Sequence, residues 1–117
     1  MINVKELVGK IIVEIKQNGN DELFFCENDG TKYIMYHAQK CCETVLIEDI
    51  IGDLNNLINS PIIMAEKITN RDDCKHVIHS CTWTFYKFAT IKGYVTIRWY
   101  GYSNGYYSES VDFIVIH

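Results

Sequence analysis

Alternating hydrophobic and polar residues in the first third of the chain predict three antiparallel strands. Every second residue from Ile11 to Ile15 is apolar, which is the two-residue period of a strand with one buried face. Asn18-Gly19 and Asp29-Gly30 supply the positive φ angles that tight hairpins need, and extended segments follow them at Leu23–Glu27 and Thr31–His37. The pattern predicts a three-stranded meander.

Two segments have the pattern of helices. Asn3 is a suitable cap for a short helix over Val4–Val8. A longer amphipathic helix is predicted over Glu48–Asn59, and Pro61 would end it. In that segment apolar residues recur at three- and four-residue spacing: Ile47, Ile50, Ile51, Leu54, Leu57 and Ile58.

The rest of the chain reads as β-structure. Strands are predicted over Ile62–Thr69, Cys81–Thr90, Tyr94–Tyr100 and Tyr106–Ile116. Ile91–Gly93 suits a three-residue hairpin loop, and Gly101–Gly105 suits a longer one. Together the elements predict an α+β fold in one domain, 1–117: two antiparallel meanders, in one curved sheet or an open barrel, covering the helix 48–59.

Strand parity divides the last three predicted strands into two faces. The apolar face should be core and carries Trp83, Phe85, Val95, Ile97, Trp99, Val111, Phe113 and Val115. The opposite face carries mainly Thr, Ser and Tyr around Arg98. If Ile91–Gly93 closes the first hairpin, Tyr86 lies opposite Arg98. If Gly101–Gly105 closes the second, Tyr100 lies opposite Tyr106.

This second face is the predicted ligand-binding site. Tyrosine offers a flat apolar ring with a hydrogen-bonding tip, and arginine binds phosphate or carboxylate as a planar fork. A small anion, a nucleotide or a partner protein would suit it. The alternative is a solvated face on which Arg98 pairs with Asp112 or Glu109. The predicted contact residues are Tyr86, Tyr94, Arg98, Tyr100, Asn104, Tyr106 and Tyr107.

Composition and charge narrow the possible partners. The 117 residues carry a net charge of −4, and the few basic residues form no stripe that could neutralise duplex phosphates or an anionic membrane surface. The first residues have no signal-like apolar run, and no segment reaches about 20 apolar residues. A cytoplasmic location is therefore expected, with no duplex nucleic acid and no membrane as partner.

Histidine and cysteine cluster in two places. His37, Cys41 and Cys42 form one candidate zinc site, although adjacent extended cysteines point apart. A second cluster contains Cys74, His76, His79 and Cys81. A thiol enzyme with His37 as base and Glu43 orienting it is a further alternative. No glycine-rich phosphate loop or other catalytic signature is present, so no catalytic residue or required cofactor is predicted.

Several longer motifs resemble an uncharacterised family of small phage and bacterial proteins. They are Tyr36-His37 with Cys41-Cys42-Glu43, Ile47–Ile50, Gly52–Leu54, Ser60–Ile62, Thr82–Lys87, Val95–Gly101 and Ser103–Glu109. The resemblance implies no activity. A phage setting favours a small binding protein that blocks a host enzyme or sequesters a nucleotide signal of host defence. We therefore expect a non-catalytic binding protein, with a symmetric homodimer possible.

Overall fold

The computed structural model describes residues 1–72 and 80–116, which form two four-stranded antiparallel sheets. The strands are β1 (Ile12–Asn18), β2 (Glu22–Glu27), β3 (Lys32–Tyr36), β4 (Thr44–Ile51), β5 (Met64–Asp72), β6 (Ser80–Thr90), β7 (Gly93–Ser103) and β8 (Asp112–Ile116). The first sheet has the order β1-β2-β3-β8, and the second has the order β4-β7-β6-β5. The three-stranded meander predicted for the first third of the chain is confirmed as β1–β3.

The core lies between the two sheets. Phe113 of the first sheet packs edge-on against Phe25 and stacks on Tyr33, with ring centroids 5.6 Å apart in both pairs. Phe25 reaches Phe88 of the second sheet at 6.0 Å. Trp99 is fully buried, and its Nε1 donates to Met35 Sδ at 3.2 Å. These aromatic contacts hold the sheets face to face as a sandwich.

The predicted α+β class is wrong, because the segment 48–59 is not a helix. Its first four residues complete β4, and only Leu54–Leu57 forms a single 3₁₀ turn, capped by Asp53. Glu48 is a β-bulge, since the pairing passes from Ile47↔Trp99 to Asp49↔Arg98. The extra residue turns a two-residue period into the three-residue step that resembles a helix.

The remaining architecture also differs from the prediction. The two meanders form separate sheets and neither one curved sheet nor a barrel. The N-terminal helix is a 3₁₀ turn over Val4–Leu7, with Asn3 as its cap as predicted. No helix in the described parts of the chain has the length and apolarity needed to cross a membrane.

The predicted register of the β6–β7 hairpin is off by one residue. Thr90 pairs with Gly93, so the loop has two residues, Ile91 and Lys92, and Phe85 rather than Tyr86 lies opposite Arg98. A one-residue slip moves every side chain of a strand to the other face. In β6, Tyr86 therefore points into the core, while Trp83 and Phe85 point outward, contrary to the prediction.

The last predicted hairpin is also absent from the fold. β8 pairs with β3 of the first sheet, from Tyr36↔Asp112 to Lys32↔Ile116, and not with β7. Residues 104–111 therefore cross from one sheet to the other. The predicted pairing of Tyr100 with Tyr106 does not form.

Gly52 directly follows β4, at a point where the backbone of β7 lies very close. It has φ +99°, and a Cβ built there would lie 2.5 Å from the carbonyl oxygen of Tyr94. Gly30 has a similar φ, +93°, but a Cβ there would meet nothing within 4 Å. The two glycines share a backbone conformation and differ in the available space.

Replacement of Gly52 by Ala should therefore cost more stability than replacement of Gly30. Gly30→Ala should lose about 1 kcal/mol from the left-handed conformation alone. Gly52→Ala should lose about 2 kcal/mol beyond that, because the backbone must move to relieve the clash. Urea unfolding of both variants measures the difference, and equal losses would contradict the close approach.

Candidate functional site

The outer side of the second sheet carries an aromatic face, which we define as Trp83, Phe85, Arg98, Tyr100 and Tyr102. All five side chains are half-buried. Trp83 contacts Tyr100 with ring centroids 4.4 Å apart, and the Trp83 and Phe85 rings stack at 6.3 Å. Tyr102 extends the row at 5.9 Å from Tyr100. The face is thus a continuous ladder of rings, on the side of the sheet opposite the core.

Arg98 lies in this ladder, and neighbouring carboxylates already hold it. Its Nε and Nη2 both lie 2.5 Å from Glu48 Oε2, and Nη2 lies 3.7 Å from Asp49 Oδ2. Its guanidinium also lies 5.4 Å from the Trp83 ring centre. The predicted alternative pairing with Asp112 or Glu109 does not form. The two carboxylates belong to β4, which pairs with β7. The predicted helix at 48–59 did not place them next to Arg98.

The other predicted contact residues are dispersed. Tyr86 is 1% exposed, and its hydroxyl donates to the Val111 carbonyl at 3.3 Å. Burial raises its pKa, as does the nearby charge of Asp112. Tyr94 is 74% exposed near the hairpin end of β7, where it pairs with Ala89. Of the predicted residues in the strands, the structure brings Arg98 and Tyr100 together.

The predicted residues of the Ser103–Glu109 loop lie in the crossover between the sheets. Asn104 Oδ1 accepts the Tyr106 amide at 3.0 Å, and the Tyr106 side chain is 88% exposed. Tyr107 lines a cavity beside β5 and β6. The loop is thus separate from the aromatic face. Sequence reasoning missed Trp83 and Phe85 there, because it assigned the bulkiest side chains of β6 to the core.

His37 and Glu43 form a buried pair that links two loops. Glu43 Oε2 lies 2.8 Å from His37 Nε2, and His37 Nδ1 lies 2.6 Å from the Ser110 carbonyl oxygen. The side chains are 4% and 0% exposed. Because a carbonyl only accepts, Nδ1 carries a hydrogen. The ring therefore bridges the Ser110 carbonyl and the Glu43 carboxylate.

Glu43 is further held by backbone amides of its own loop. The amides of Cys41 and Lys40 donate to its carboxylate at 2.8 and 2.9 Å. Burial alone would raise the pKa of Glu43, but these amides and His37 outweigh it and lower the pKa to about 2. The thiol-enzyme alternative has Glu43 orient His37; in the structure the two side chains are in contact, and this contact fastens the loop.

The candidate zinc ligands do not converge in the described residues. Both nitrogens of His37 face Glu43 and Ser110, and the Sγ atoms of Cys41 and Cys42 are bonded to each other. Within residues 1–72 and 80–116, no three His, Cys, Asp or Glu side chains are grouped to hold a metal ion. Cys74, His76 and His79 of the second cluster lie outside the described residues. Cys81 is buried, and the Tyr100 hydroxyl donates to its Sγ at 2.9 Å.

The lowered pKa of Glu43 gives a signed pH dependence of stability. The carboxyl binds a proton near its ordinary 4.5 when unfolded and at about 2 when folded. Its contribution is therefore complete above about pH 4.5 and is lost as pH falls towards 2. Glu43→Gln should be less stable at pH 7 and should flatten the decline between these values. Urea unfolding across this range measures both effects.

Glu66→Gln is the matched control, since Glu66 is exposed and the change removes the same charge. It should keep the acid-dependent decline of the parent chain. An unchanged decline in Glu43→Gln would contradict the assignment.

The comparisons with known proteins concern the family. No curated protein and no solved structure matches the chain. One family model, described as a domain of unknown function, DUF7448, matches residues 5–113 and so spans nearly the whole two-sheet fold. The resemblance to an uncharacterised family is confirmed, while the phage setting stays a prediction. The chain belongs to the DUF7448 family.

Proposed function

We propose that this chain is a non-catalytic binding protein that recognises a partner protein through its aromatic face. The supporting observation is the ladder of half-buried rings around Arg98 on the outer side of the second sheet. Aromatic residues and arginine are enriched in protein interfaces and dominate their binding energy. Paired strands hold such side chains in place, so little conformational entropy is lost on binding.

The surroundings of Arg98 favour a protein over a nucleotide. Glu48 and Asp49 already neutralise the guanidinium, so a phosphate would have to displace them. The depression between Asn70, Trp83, Phe85 and Arg98 has a volume of about 150 Å³. Sites for nucleotide-sized ligands usually measure about 300–1,000 Å³. A broad protein surface fits this shallow face better than a nucleotide.

The kind of partner that we propose follows from the predicted phage setting. In a phage-encoded protein the face would bind a host protein in the host cytoplasm and block it, which is an anti-defence role. This face places a positive charge, Arg98, beside the negative charges of Glu48 and Asp49. It therefore suits a partner that carries both charge signs at the rim of its interface. A homodimer through the same face is the related alternative, because a two-fold axis would place the two ladders against each other.

Shortening the central ring of the ladder should abolish partner capture. Trp83→Ala removes the contacts to Phe85, Tyr100 and Arg98 and should weaken binding by about 2 kcal/mol or more, as expected of an interface hot spot. The tagged chain would capture partners from bacterial lysate, with quantitative mass spectrometry to identify them. The purified partner would then be titrated against parent and variant.

Val13→Ala is the control, since Val13 is an exposed apolar residue of the first sheet. It should leave the affinity unchanged, and near-ultraviolet circular dichroism should show all variants folded. A partner that tolerates Trp83→Ala and Phe85→Ser would contradict the proposal. A nucleotide that raises the melting temperature only when Arg98 is present would favour the small-ligand alternative. Sedimentation of the parent chain and Trp83→Ala tests the homodimer.

A further inference from the structure

Two adjacent cysteines in the loop between β3 and β4 are joined by an S–S bond. Cys41 Sγ is bonded to Cys42 Sγ, and both residues are exposed. The chain bends at both positions. Neighbouring side chains of an extended segment point to opposite sides, so an extended loop would keep these two sulfurs apart. The bond therefore requires the bend.

The backbone of this bend holds the buried Glu43 carboxylate. The Cys41 amide donates to Glu43 Oε1 at 2.8 Å, and the Lys40 amide donates to Oε2 at 2.9 Å. The Glu43 side chain is 0% exposed, so water does not compete for these contacts. Two successive amides reach one carboxylate because the chain turns just before it. The S–S bond and the amide contacts thus depend on the same local conformation.

From Glu43 the contacts continue to the crossover between the two sheets. Glu43 Oε2 lies 2.8 Å from His37 Nε2, and His37 Nδ1 donates to the Ser110 carbonyl at 2.6 Å. Ser110 belongs to the 104–111 segment, which connects β7 of the second sheet with β8 of the first. A continuous series of contacts therefore joins the exposed S–S bond to this connection.

A thiol reagent reaches this pair more easily than the other described cysteines. Cys26 in β2 is half-buried, and Cys81 in β6 is buried. Thiol–disulfide exchange begins when a thiolate attacks one sulfur of the bond, so its rate depends on access to that sulfur. Lys40 is also exposed and directly precedes the pair, and its positive charge attracts an incoming thiolate.

We propose that Cys41–Cys42 is a thiol–disulfide exchange site at which a dithiol reductant releases the loop's hold on the crossover. A thiolate of the reductant attacks one cysteine sulfur, breaks the S–S bond and forms a mixed disulfide, while the other cysteine leaves as a thiolate and takes up a proton. The second thiolate of the reductant then attacks the mixed disulfide and displaces the first cysteine, which is protonated in turn. The chain gains two electrons and two protons, and the dithiol becomes a cyclic disulfide.

Reduction removes the requirement for the bend. The loop is then free to extend, and the amides of Lys40 and Cys41 move away from Glu43. The carboxylate loses two charge-assisted hydrogen bonds, so its contact with His37, and through it the contact with Ser110, is held less firmly. Oxidation by a disulfide reverses the sequence. The site does not depend on the function proposed for the aromatic face.

The test is amide hydrogen exchange of the ¹⁵N-labelled chain, followed by NMR in oxidised glutathione and again in dithiothreitol. In dithiothreitol, a proteolytic peptide spanning residues 40–43 should gain the mass of two hydrogen atoms. The amides of Lys40 and Cys41 should exchange about tenfold faster, the size of a lost charged hydrogen bond. The amide resonance of Val111 should shift, because its nitrogen is bonded to the Ser110 carbonyl that accepts from His37.

Two variants separate this pair from the other cysteines. Cys42→Ser retains the others but prevents this bond, so its loop amides should exchange at the faster rate in both solutions. Cys26→Ser is the matched control, the same change at a thiol outside the loop, and it should keep the response of the parent chain. Exchange at Lys40 and Cys41 that is unaffected by dithiothreitol would overturn the proposal. So would a response that persists in Cys42→Ser, an unshifted Val111 resonance, or two free thiols at Cys41 and Cys42 in oxidised glutathione.

Discussion

The pairing of Thr90 with Gly93 at the tip of the β6–β7 hairpin decides what each face of the second sheet presents. Because side chains alternate along a strand, this one contact places Tyr86 and Phe88 in the core and Trp83 and Phe85 outside. The outward aromatic ladder and the inward, buried Thr82 and Thr84 are thus two results of one register. A three-residue loop would have exchanged them, and the rings would face the sandwich interior.

The sequence predicts the parts of the fold that depend on local chemistry. The Asn18-Gly19 and Asp29-Gly30 turns and the Asn3 cap all form where expected. The inward positions of Val95, Ile97 and Trp99 also follow from alternation in β7. In such segments the turn residues and the apolar period agree, so a single structure satisfies both.

The errors occur where a non-local pairing overrides the local pattern. The bulge at Glu48 gives Ile47 and Ile50 the spacing of a helix, yet both face the core from a strand that β7 stabilises. In β6, the segment Thr82-Trp83-Thr84-Phe85 alternates, but alternation alone does not show whether the threonines or the aromatic rings face the core. The pairing with β7 determines which set faces inward. The acidic partners of Arg98 could not be identified without that β4 pairing. The Cys41–Cys42 pair and the His37–Glu43 contact likewise depend on how their loop closes.

The crossover at 104–111 also orders the events of folding. β3 ends at Tyr36 and pairs with Asp112 of β8, and β4 pairs with β7, so both sheets join distant parts of the chain. Among the described strands, the β1–β3 and β5–β7 meanders consist of neighbouring segments, whereas β4 and β8 pair with strands distant in sequence. Contacts between distant segments pay their loop-closure entropy before they are stabilised, which slows folding to milliseconds or longer. During synthesis, the edge of β3 that contains Tyr33 and Met35 therefore stays unpaired until β8 has been synthesised.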